Sequence, residues 1–279
     1  MKKLLSAECK RRLLSPIIPA EFLLLFVWNF VLIVFSIYGF EVSSDYFLFR
    51  NIPLICILVT ANAMIFTREE VEYKTMSNKF YLGFKKSHFL LCEAIVGVLE
   101  SFLLLTVNTA SILGLCEYRH YETTPVRELL FHLWVCFALV STISVFITIL
   151  SCIVTKRLIL SCLIVGLTAL FLYAGDETTH SLVQPKETDA FFKDGKLHPN
   201  PLYIDGEKRT LYLLHLTFSP YAQSYYTDFM ANESEEDMPV TSLVPGVLPF
   251  RWDFLFADTF ELLLCFFVGS LLFKKKDLL

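Results

Sequence analysis

Apolar residues in this chain gather into six long runs separated by charged stretches, with none of the strict alternation that a half-buried strand requires. The runs lie near Ile17–Phe40, Ile52–Phe66, Phe89–Leu115, Leu129–Val154, Leu158–Ala174 and Phe254–Phe273. Crossing roughly 30 Å of hydrocarbon takes about 20 helical residues, so each run predicts a membrane-spanning helix. The second and fifth are short by this measure. The third and fourth are long enough to tilt or to project beyond the bilayer. Ahead of the first run, Met1, Leu5, Cys9 and Leu13 recur at four-residue spacing, with Lys2, Lys3, Lys10, Arg11 and Arg12 on the other faces. That pattern predicts a short helix within residues 1–15, lying on the inner membrane surface, the alternative being a basic tail that only sets topology. The fold class expected is an all-α membrane protein, a single membrane domain over residues 1–279.

Charge placement then sets an orientation. Lys and Arg flanking membrane spans stay on the cytoplasmic side. With the N-terminus inside, most of the 24 basic residues fall inside as well, in the N-terminal segment, in residues 67–88, in the Lys156–Arg157 link and in Lys274 to Lys276. Both termini are therefore expected in the cytoplasm. Residues 175–250, between the fifth and sixth runs, become a large outer loop. Its first part, Asp176 to Arg209, reads as solvated loop. Its middle, Leu211–Tyr226, is apolar and aromatic, with Pro220 as a break, and reads as an interfacial or re-entrant element. The acidic run from Asn232 to Asp237 follows. Charges persist to Arg12 and the first run is too long for an h-region, so it reads as a retained helix.

Composition agrees and removes several classes of function. Of 279 residues, 55% are hydrophobic and only 19% charged, against the roughly 25% charge of an average soluble domain. No G-x-x-x-x-G-K-[ST] run occurs, which removes a P-loop. Basic residues are spread among membrane-flanking segments, not gathered into a nucleic-acid-binding patch. The 8 cysteines form no C-x-x-C pair and read as small hydrophobes. Asp176, Glu177 and His180 stand together, but no second histidine follows at ligand spacing. No serine occupies a G-x-S-x-G turn.

Candidate chemistry sits in three places. Acidic residues within a span are costly and are functional candidates by default. Glu93 and Glu100 on the third run are seven residues apart, hence nearly on one helical face, and Gly97, Asn108 and Ser111 fall on or near it. This face is either a polar lining to a substrate path or subunit interface, or a set of groups satisfied within the bundle. On the fourth run Ser141, Ser144, Thr148, Ser151 and Thr155 recur at helical spacing, a pattern suited to close helix packing. The third place is Thr67 to His88, which begins with acids and ends with bases, as a helix dipole favours. A short cytoplasmic helix there can dock on a soluble partner.

Six spans, a basic N-terminal helix, this inner segment, a long last outer loop and a lysine-rich tail together resemble the type-2 ABC exporter permeases. The residues carrying the resemblance are Glu72-Tyr73, Thr75, Asn78-Lys79, Gly83 and Lys85-Lys86 after the second span. The closing stretch from Gly269 to Asp277 and the outer Ser219-Pro220 with Gln223 are similar to the family's pattern too. Lys74 stands where a glycine is frequent, and Met76-Ser77 replaces an arginine-containing step. The resemblance implies a multi-pass bacterial cell-membrane permease, working with a second permease, identical or different, and with separate ABC ATPase subunits. ATP-Mg would be bound on the ATPase and no cofactor on this chain. The coupling role falls on Glu69, Glu70, Glu72, Tyr73, Lys74 and Thr75. Two alternatives stand beside it: a non-transporting anchor or sensor subunit, and an intramembrane enzyme using Glu100 or an outer-loop acid.

Overall fold

The computed structural model describes residues 2–35, 44–121, 124–154, 156–188, 197–220, 222–224, 226 and 252–275, apart from the side chains of residues 45, 71, 72, 128, 157, 252 and 253. The acidic run at 232–237, Thr155 and the far ends of the first span and the tail lie outside the described residues. In chain order come α1 (Lys2–Leu13), α2 (Ile17–Val34), α3 (Ser44–Arg50), α4 (Ile52–Glu72), α5 (Thr75–Tyr81), α6 (Lys86–Arg119), α7 (Val126–Ile153) and α8 (Arg157–Val183). A two-residue antiparallel pair follows, β1 (Glu187–Thr188) against β2 (His198–Pro199). Then come α9 (Gly206–Phe218) and α10 (Trp252–Lys275). Among the described residues, six helices are long and apolar enough to cross a membrane: α2, α4 (with the end of α3), α6, α7, α8 and α10. The chain is thus a multi-pass helical membrane protein.

α7 is the hub. It packs on α4, α6 and α10, while α2 lies along α6. The main core joins α2, α3, α4, α6 and α7 through Leu25, Phe47, Ile55, Leu104, Val140 and Ile143. A second core closes one end of the bundle, where Leu4 of α1, Met76 of α5, Phe89 of α6, Cys152 of α7 and Phe273 of α10 meet. The first and last helices therefore reach the same end. At the other end Leu182, Leu216, Ala222, Tyr226 and Phe254 hold the tip of α8, α9 and the start of α10 together.

Three elements differ from what periodicity alone predicts. α4 runs six residues past Phe66, to Glu72, because Glu70 finds cationic partners and so does not end the helix. α8 likewise runs through Asp176 to Val183, where a solvated loop is expected. Asp176 and His180 pair one turn apart at 3.1 Å, and Leu182 is buried against α9. α1 forms as expected, but the face it buries is not the predicted apolar stripe. Leu5, Cys9 and Leu13 stay half-buried, while Leu4, Glu8 and Arg12 go inside. Two of those three are charged, and their partners explain the choice below.

Close approach between spans uses small residues. A Cβ built on Gly97 of α6 would stand 2.6 Å from the Ser144 hydroxyl, so the serine stripe of α7 meets α6 at close range and a larger residue at 97 would push that hydroxyl aside. On Gly269 of α10 the same atom would come within 2.5 Å of Cγ2 and 2.9 Å of Cδ1 of Ile149. Isoleucine is stiff at χ1 and cannot swing both branches away. Gly269→Ala is therefore expected to destabilise the bundle by about 1–3 kcal/mol, the usual cost of overpacking. Pairing it with Ile149→Ala should return part of that loss, and strictly additive melting temperatures for the two changes would contradict this packing.

Candidate functional site

The two glutamates of α6 are not left facing a channel. The guanidinium of Arg12, wholly buried, donates to Glu93 through one terminal nitrogen and to Glu100 at 3.4 Å through the other. Two turns of helix separate these carboxylates, about 10 Å at 1.5 Å per residue, and one planar fork bridges them. The ring of Phe66 lies 5.4 Å from the guanidinium carbon and adds a cation–π contact.

Around this cluster a second layer ties two more helices in, α4 and α5. Arg11 donates to Glu8 at 2.8 and 3.0 Å and to the Phe66 carbonyl at 3.1 Å. Its guanidinium also stands 3.3 Å from Glu70, 3.7 Å from Glu69 and 3.7 Å from Glu93. Lys79 of α5 donates to Glu8 and, at 2.7 Å, to Glu70. Thr75 closes the ring with a 2.8 Å bond to the same Glu70 oxygen. The site thus links α1, α4, α5 and α6 through Arg11, Arg12 and Lys79 against Glu8, Glu70, Glu93 and Glu100. Burial opposes charge on all of them, and mutual pairing is what offsets it. Glu8 shows this balance. Desolvation pushes its pKa up, but the Lys79 and Arg11 contacts prevail and hold it below the ordinary 4.5. Arg12 is held protonated against its burial by Glu93 and Glu100.

Of the residues expected to couple to a partner, Glu70 is engaged internally and buried, and Thr75 is bonded to it. Glu69 is half-exposed beside Arg11, and Glu72 closes α4. Lys74 and Tyr73 form the exposed bend between α4 and α5, Lys74 in the left-handed region at φ 54°. The other candidate, Asn108, belongs to a separate polar knot further along α6. Its amide oxygen accepts from Asn29 of α2 at 3.1 Å and from Asn51, just before α4, at 2.9 Å. Trp28 caps the knot by donating to Asn51 at 3.0 Å. Asn62 of α4 donates to Glu21 of α2 at 2.9 Å. Sequence reasoning singled out the acids and Asn108 but missed Arg12, Asn29, Asn51 and Asn62 as their partners. The signal available was chemical: two span glutamates on one face call for a cation, and the basic N-terminal segment is a source of one.

Removing one partner of a buried ion pair leaves the other uncompensated, at about 3–5 kcal/mol. Arg12→Met should accordingly melt well below wild type in lipid nanodiscs, and adding Glu93→Gln with Glu100→Gln should recover most of the loss. An Arg12→Met chain as stable as wild type would refute the pairing. For Glu8 the folded pKa is depressed, so its contribution is present above the carboxylate range and fades as pH drops through the folded value. Melting curves of wild type and Glu8→Gln should then differ at neutral pH and converge on acidification below 4.5. A gap that persists or widens in acid would reverse that sign. Comparison of the chain with protein-family models, with curated proteins and with solved structures finds no match.

Proposed function

We infer that this chain is the membrane-spanning permease subunit of an ATP-driven exporter of the type-2 ABC class. Energy comes from a separate ATPase, a second permease completes the pathway, and both termini face the cytoplasm of a bacterial cell. The observation that supports this reading best is the elbow between α4 and α6. The chain turns at Lys74, forms the two-turn α5, turns again at Gly83 with φ 89°, and enters α6. Tyr73, Tyr81 and Leu82 project from the elbow at 74%, 76% and 78% exposure, an aromatic and aliphatic surface left uncovered by the described residues. The opposite side of α5 is fastened through Lys79, Thr75 and Met76 to α1, α4 and α6. A force applied from outside to α5 therefore reaches the spans through ion pairs and not through a slack loop. In this reading Glu70 carries the push inward, and Tyr73, Tyr81 and Leu82 receive it.

The basic residues near this end, from Lys2 to Arg12 and at Lys85, Lys86, Lys274 and Lys275, favour a cytoplasmic placement. The chain's lack of a P-loop fits hydrolysis on another polypeptide. The test is co-purification with a P-loop ATPase encoded beside this gene. Tyr81→Asp with Leu82→Asp should reduce capture at least tenfold while leaving the melting temperature unchanged, because neither side chain packs inside. Capture that is indifferent to both changes, or labelling of a cysteine at position 81 from the external side of intact cells, would overturn the assignment.

A further inference from the structure

The acidic side chains within the spans fall into two groups. Glu93 and Glu100 share Arg12, and Glu21 accepts from Asn62. Asp258 and Glu261, three residues apart on α10, have no basic partner among the described residues. Glu261 stands about 14 Å along α10 from its first residue, far from either end of the helix. Asp258 is wholly buried, and its carboxylate meets no cation among the described residues. The Gln223 amide, which donates to the Thr217 carbonyl at 2.9 Å, also approaches it, but a neutral amide brings no counter-charge. An ionised carboxylate this deep in an apolar zone needs a counter-charge, and none stands among the described residues.

Glu261 opens on a cavity of about 250 Å³ where α7, α8, α9 and α10 meet. Three phenylalanines from three helices stand in its walls: Phe146 of α7, Phe171 of α8 and Phe218 of α9. Thr142 both lines the cavity and donates to the main-chain carbonyl of Asp258 at 3.1 Å, which fastens the α10 backbone there to the cavity wall. His215 also lines it, bonded to the Thr178 hydroxyl at 2.8 Å. Burial lowers the His215 pKa, so its ring stays neutral and does not neutralise the acids. Aromatic rings in the wall, beside a carboxylate with no basic partner among the described residues, make a receptor for positive charge on an apolar body.

We propose that this cavity binds a compact organic cation, an aromatic or branched amine or quaternary ammonium, with its charge at Glu261 and its apolar body against Phe146, Phe171 and Phe218. As a statement about cargo this rests on the permease reading, whereas the binding itself does not. The probe is benzyltrimethylammonium, dialysed to equilibrium against the purified chain in lipid nanodiscs, with empty nanodiscs as the blank. Its neutral isostere neopentylbenzene and the anion benzylsulfonate are run alongside. Wild type should retain the ammonium ion above the blank and neither comparison compound. Glu261→Gln should weaken retention about tenfold, and Glu261→Asp, which keeps the charge, should restore much of it. Equal retention of the neutral isostere, unchanged binding by a folded Glu261→Gln chain, or no retention of the ammonium ion would each overturn the proposal. Should Glu261→Gln fail to fold, the contrast between ammonium and isostere on wild type decides alone. The dialysis uses no ATPase, so the two readings fail separately. Ammonium retained by a chain that captures no ATPase removes the exporter and leaves the cation site, and the converse result removes only the site.

Discussion

One buried guanidinium organises this protein. Arg12 lies between two carboxylates of α6 that would otherwise be isolated charges among apolar helices, and it comes from a helix outside the six spans. Because an unpaired charge in such surroundings is far more costly than a paired one, α1 is held inward against its own apolar stripe. Leu4 and Glu8 follow Arg12 into the interior at four-residue intervals, and with them come the contacts to Met76, Phe273 and Lys79. The geometry of the whole end of the bundle follows from that single requirement. Leu5, Cys9 and Leu13 are only half-buried as a result.

Further along, neutral amides take over from ions. Asn29, Asn51 and Asn108 are all buried and bonded to one another, tying α2 and α4 to α6. Where the helices need only lie close, Gly97 and Gly269 admit Ser144 and Ile149 without any polar bond. The ion pairs gather around α1, where Arg11 remains partly wetted, and the asparagine knot lies further along α6 at Asn108.

The spans were readable from sequence because hydrocarbon thickness imposes a length, and runs such as Leu129–Val154 exceed it without interruption. Ends were less readable. Glu69 and Glu70 look like a stop signal until Arg11 and Lys79 are known to be their neighbours, and Asp176 to Val183 looks like loop until α9 covers it. Glu93, Glu100 and Asn108 were legible as unusual residues on one face. Their partners were not, since Arg12 lies 81 and 88 positions away and Asn29 lies 79 positions away from Asn108. Helical periodicity carries no information at that separation. Leu4, Glu8 and Arg12 illustrate the difficulty most directly, for a stripe containing two charges reads as a solvated face when taken alone.

That separation also has a meaning for biogenesis. Ribosomes add roughly 5–20 residues per second, so α1 is finished something like 4–16 seconds before Glu93 emerges. During this interval Arg12 has no carboxylates to enter, and the segment waits in the aqueous phase while α2 and α4 are threaded into the lipid. α1 is thus made before α6 and docks on it only once Glu93 and Glu100 are in place. A nascent chain that stalls before α6 exposes an unengaged basic arm, a mark by which incomplete molecules differ chemically from complete ones.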